Sequence, residues 1–98
     1  MIIVSQDKDK ILNFNNITQI YIGYAENNKK RSIRCETLTD TYVTLGIYET
    51  QERAREVLEE IINMYKATES FIAAANRVSD NVGALAIQKG FAYYMPQK

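Results

Sequence analysis

The chain has 98 residues, the length of one domain, and its twelve basic side chains are balanced by twelve acidic ones. Zero net charge gives no global field to recruit nucleic acid or an acidic membrane surface. One cysteine, Cys35, with no histidine and no tryptophan, excludes an intrachain disulfide, a Cys/His zinc site and any Ser-His-Asp or Cys-His nucleophile.

In chain order, Ile2-Ile3-Val4 reads as a short apolar strand and Ser5 to Lys10 as a polar turn. Asp7 and Asp9 share the spacing that opens a calcium loop, but its glycine and closing glutamate are missing, which leaves a turn. Ile11 to Phe14 reads as a second short strand, broken by Asn15-Asn16. From Thr18 to Tyr24 the pattern alternates, with Ile20 and Ile22 on one face and Tyr21 on the other. Glu26-Asn27-Asn28-Lys29-Lys30 is the clearest hairpin loop. Ile33, Cys35 and Thr37 alternate with Arg34, Glu36 and Leu38, and Leu38 to Thr41 turns the chain again. Val43, Leu45 and Ile47 then alternate with Tyr42, Thr44, Gly46 and Tyr48, as a strand buried on one side does.

At Thr50 the period changes. Ala54, Val57, Leu58, Ile61 and Tyr65 recur at helical spacing, which predicts a helix over 51–66 with Thr50 as N-cap and Arg55 and Glu59 paired on the wet side. Glu69 to Val78 suits a second helix or a continuation of the first, and Lys89-Gly90 reads as a helix end. Phe91, Tyr93 and Met95 alternate before Pro96 as a last strand returning to the sheet. The expected fold is a single α+β domain over 1–98. In it, an antiparallel sheet of four to five strands packs against one long helix, with a further short helix and a final strand.

Composition is that of a globular chain, 46% hydrophobic and 24% charged. No apolar run approaches the roughly 20 residues of a membrane span, and Met1-Ile2-Ile3-Val4 lacks a signal peptide's basic start. With a single cysteine, these features point to the cytosol. There is no phosphate-cradling glycine loop; Gly23, Gly46, Gly83 and Gly90 stand far apart. Glu52, Glu56, Glu59 and Glu60 lie among Arg53 and Arg55, as on a solvated helix face rather than a catalytic carboxylate pair. The inventory points to a non-enzymatic chain with no cofactor.

Two surfaces are candidates for binding. In the simple register Tyr21, Tyr42, Tyr48 and Tyr94 all point away from the helix layer, a face suited either to ordinary packing or to an interface and planar ligands. Lys29, Lys30 and Arg31, with Arg34 nearby, form the one basic cluster, either a phosphate grip or a solvated hairpin tip. Neutral charge argues against DNA or RNA as its partner. Cys35, on the inward face, reads as an inert thiol. Ala73-Ala74-Ala75 permits close backbone approach, either between copies in a homo-oligomer or within the chain.

Ile2 to Ile11 with Asn13-Phe14-Asn15-Asn16-Ile17, Tyr48 to Ala54 with Val57 to Ile61, and the closing Met95-Pro96 cover about half the chain. In these segments it resembles a family of small uncharacterised proteins from Gram-positive bacteria and their phages. The resemblance implies a sheet meander closed by a helix, loosely similar to a pleckstrin-homology-like half barrel, and carries no catalytic motif to transfer. It implies a phage or prophage accessory protein that acts by binding. The expectation is a homo-oligomer engaged in counter-defence, taking a host defence protein or sequestering a nucleotide signal. For the nucleotide version, Tyr21, Tyr42 or Tyr48 would stack on a base while Lys29, Lys30, Arg31 or Arg34 meets phosphate. The alternative is a structural or regulatory interaction module of a bacterial host with no role in defence.

Overall fold

The computed structural model describes residues 1–78 and 91–98. Its strands are β1 (Ile2–Val4), β2 (Ile11–Asn13), β3 (Ile17–Ala25), β4 (Lys30–Thr37), β5 (Val43–Tyr48) and β6 (Ala92–Tyr94), with one long helix, α1 (Gln51–Val78). The fold is α+β.

The strands form two three-stranded sheets, β2-β1-β6 and β3-β4-β5, rather than the single sheet of four to five strands that the meander pattern suggests. Three-residue strands carry too little alternation to announce their partners. β1 pairs antiparallel with β2 and parallel with β6, so residues from the two ends of the fold lie side by side. The sheets meet at β5, where the Gln6 N–H donates to the Leu45 carbonyl at 2.8 Å.

The β3–β4 hairpin forms where expected, and its turn is left-handed. Glu26, Asn27 and Asn28 all have positive φ, of 51°, 56° and 69°. Asparagine tolerates that region better than most residues, which suits Asn27 and Asn28 to this turn. Between β4 and β5 the register slips. Ile33 faces Gly46 but Arg34 faces Thr44, leaving Leu45 as the extra residue of a β-bulge.

That bulge inverts the far half of β5. Val43 keeps the inward parity of its neighbour Cys35, but beyond Leu45 it is Tyr48 that turns inward, only 2% exposed, while Ile47 is 37% exposed. The expected outward position of Tyr48 is thus overturned, as is the inward position of Ile47.

Thr50 caps α1: its Oγ1 accepts the Arg53 N–H at 3.1 Å, with Glu52 in the first turn where the helix dipole favours an anion. The helix passes Lys66 without a break, so of the two readings of 69–78 the continuation holds. The helix end read at Lys89-Gly90 lies outside the described residues. Among the described residues it is Arg53, not Arg55, that makes the helix-surface ion pairs, with Glu56 at 3.3 Å and Glu60 at 3.8 Å.

Ala54, Val57 and Ile61 of α1 meet Ile33 and Cys35 of β4, Leu45 and Tyr48 of β5, Ile3 of β1, and Tyr93 and Met95 of the last strand and its exit. Both sheets therefore close on one core. Each fully buried large apolar side chain here stabilises the fold by about 1.5–3 kcal/mol.

Candidate ligand-binding face

The face of β3-β4-β5 turned away from α1 is set by the same alternation that fills the core. With Ile20, Ile22, Ile33 and Cys35 inward, Tyr21, Gly23, Ser32 and Arg34 point outward, and Tyr42 enters this face just before β5. Arg34 stands opposite Tyr21 on one side and Thr44 on the other.

The Arg34 side chain is held down on the sheet. Its Nη2 donates to the Tyr24 carbonyl at 2.9 Å, and its guanidinium carbon lies 4.8 Å from the centroid of the Tyr42 ring. It also crosses Gly23: a Cβ at that position would sit 3.3 Å from both Cδ and Cζ of Arg34 and 3.1 Å from Ser32 Oγ. Gly23 therefore serves this face by leaving room. Arg34 Nε is shielded from solvent with no hydrogen-bond partner among the described residues. Tyr42 is 53% exposed.

The other basic residues do not converge there. Lys30 is held by Glu49 at 3.2 Å and Glu26 at 3.4 Å, and these carboxylates hold its ammonium pKa above the ordinary lysine value. Arg31 lies on the helix side, 4.6 Å from the Tyr24 ring centroid, with its Nε donating to Gln51 Oε1 at 3.0 Å. It ties the hairpin to the start of α1, also reaching the Asn28 carbonyl. Lys29 is exposed in the turn.

Of the four tyrosines, Tyr21 and Tyr42 share the outer face with Arg34. Tyr94 is exposed but belongs to β6 in the other sheet. Tyr48 is removed from any ligand role by the bulge. Its hydroxyl donates to the Pro96 carbonyl at 2.8 Å, and burial pushes its pKa up to about 12. Tyr93 is likewise raised, by burial and by donating to Glu60 Oε2 at 2.6 Å. Burial also raises the Cys35 thiol, which makes it a poor nucleophile.

Gly23 escaped the reading of the sequence, although a glycine inside an alternating strand is the ordinary sign of a close approach from a neighbour. Also missed was an apolar groove of about 330 Å³ between β3 and α1, lined by Phe14, Ile17, Ile20, Leu58, Ile61 and Ile62. Among the described residues there is no cluster of three acidic or sulfur ligands able to hold a metal ion, and no helix long and apolar enough to cross a membrane. No known protein family, no curated protein and no solved structure matches this chain.

Proposed function

We propose that this chain is a non-enzymatic binding protein that holds a planar anionic ligand, of the nucleotide class, on the outer face of β3-β4-β5. The observation that carries this reading is the state of Arg34. A guanidinium pinned on the outer sheet face beside a half-exposed tyrosine, with one nitrogen shut off from water and unpaired among the described residues, costs stability as it stands. The guanidinium's other N–H groups can give an anion charge-assisted hydrogen bonds, and Tyr42 and Tyr21 supply ring area for a base. The resemblance of the chain's opening and helix start to phage proteins supplies the setting: counter-defence by sequestering a nucleotide signal.

Native mass spectrometry of protein purified gently from its own host, before and after denaturation, tests this. The expected result is a retained mass of nucleotide size that disappears in Arg34→Ala. Protein carrying no such mass, and taking up neither linear nor cyclic nucleotides in equilibrium dialysis, overturns it. A second reading, a regulatory protein-interaction module with no defence role, is favoured by the apolar groove between β3 and α1.

A further inference from the structure

The groove side of the molecule carries a pattern that the ligand reading leaves unused. Strand β3 is nine residues long, pairs among the described residues with β4 alone, and contains neither a charged residue nor a proline on its other edge. Beside it, α1 leaves Ile62 43% exposed at the lip of the apolar groove. An apolar lip of this kind calls for a cover.

The charges on α1 identify the cover. Arg55, Glu59, Ile62, Lys66 and Glu69 are all exposed, and their alternating spacings of four and three residues place them in one narrow stripe along the helix. Arg55 lies seven residues before Ile62 and Glu69 seven after it; Glu59 and Lys66 flank it more closely. The stripe therefore reads positive, negative, apolar, positive, negative. Laid antiparallel on itself about Ile62, it sets Arg55 against Glu69, Glu59 against Lys66, and Ile62 against Ile62. Laid parallel and in register, it would oppose every charge with its like. Among the described residues, none of these four charged groups is in an ion pair within the chain.

We infer that a second copy of this chain docks here, as an antiparallel α1–α1 dimer with its two-fold axis at Ile62. The contact is isologous, as a two-fold interface must be, and the charge pattern sets its direction and register. The partner's Ile62 meets Ile62 on the axis and covers the lip of the groove. This dimer is independent of the ligand reading, because Arg34 and Tyr42 lie on the opposite face of the sheet and stay open.

Sedimentation equilibrium across a concentration series tests it, with helix content by circular dichroism as the check on folding. Wild type is expected to dimerise below about 0.1 mM. Arg55→Glu alone and Glu69→Arg alone should each weaken the dimer by about tenfold or more, since each reversal enters the interface twice. The doubly reversed chain should regain wild-type association, and an equimolar mixture of the two single variants should form a heterodimer. Wild type monomeric at about 0.1 mM overturns the inference. So do single reversals that leave association unchanged, or a double reversal that fails to restore it.

Discussion

The side chain of Gln6 pairs with the backbone of Ile47 as a neighbouring strand would. Its Oε1 accepts the Ile47 N–H at 2.8 Å and its Nε2 donates to the Ile47 carbonyl at 3.0 Å. The same Nε2 lies 3.2 Å from the Pro96 carbonyl and 3.0 Å from that of Gln97, while Gln97 Nε2 donates back to the Gln6 carbonyl at 2.8 Å. One amide thus closes the edge of β5 and fastens the last residues of the fold. Gln6→Ala should lower unfolding stability by about 1–3 kcal/mol in urea titration, the sum of several modest hydrogen bonds. Gln6→Glu should cost at least as much, because a carboxylate keeps the acceptor for Ile47 N–H but turns a second acceptor toward three carbonyls.

Gly46 is fixed by its neighbour two residues on. A Cβ there would stand 2.8 Å from the Tyr48 hydroxyl and 3.1 Å from Cζ, and Tyr48 is anchored at Pro96 and cannot swing away. Gly46→Ala should therefore destabilise by about 1–3 kcal/mol through overpacking. Tyr48→Phe should lose about 1 kcal/mol with the Pro96 hydrogen bond. In the double variant the two losses should sum to less than their separate values, because the phenol oxygen that the added methyl group would meet is gone. Thermal or urea unfolding of the three variants checks this.

Alkaline pH should unfold the protein through its buried phenols. Tyr48 titrates at about 12 in the fold against 10.0 ordinarily, so its contribution is whole below pH 10 and is lost as pH rises through 12. The unfolded chain releases its proton first, which pulls the equilibrium toward unfolding. Tyr93 shifts in the same direction and steepens the fall. Stability measured between pH 9 and 12 should decline less steeply in Tyr48→Phe than in the wild type.

Arg34 should separate binding from folding. Arg34→Met keeps much of the packing over Gly23 and removes the unpaired Nε while losing the bond to Tyr24, so stability should change by no more than about 1 kcal/mol. Nucleotide retention should nevertheless be abolished. Gly23→Ala should lower retention without touching a ligand group, because its methyl, 3.3 Å from Cδ and Cζ of Arg34, pushes that side chain aside by about a few tenths of an ångström.

Sequence pattern reaches as far as local order extends. The β3–β4 hairpin and the start of α1 are legible because Ile20, Ile22, Ile33 and Cys35 alternate cleanly and Thr50 stands directly before the helical period. The inversion of Tyr48 and Ile47 is not legible from alternation, since the bulge at Leu45 inserts a residue without breaking the written pattern. Its one trace is Gly46, a glycine within a strand. The β1–β6 pairing joins segments separated by almost the whole chain, and three residues on each side carry no period to match. At the candidate face, residue types were readable but convergence was not. Lys30 is taken up by Glu49 and Glu26, and Arg31 turns to the helix, so four expected cations reduce to Arg34.

The parallel pairing of β1 with β6 also determines how the molecule carries a mechanical load. Tension applied through the chain's two ends pulls β1 from its start and β6 from its finish, and because the strands run the same way this slides one along the other. The hydrogen bonds between them are loaded together in shear instead of being peeled apart singly. Gln6, gripping residues 96 and 97 just beyond, adds a clasp across the same seam. Stretched between its two ends, as in single-molecule force spectroscopy, this small fold should resist at the β1–β6 seam first and give way abruptly once that seam slips.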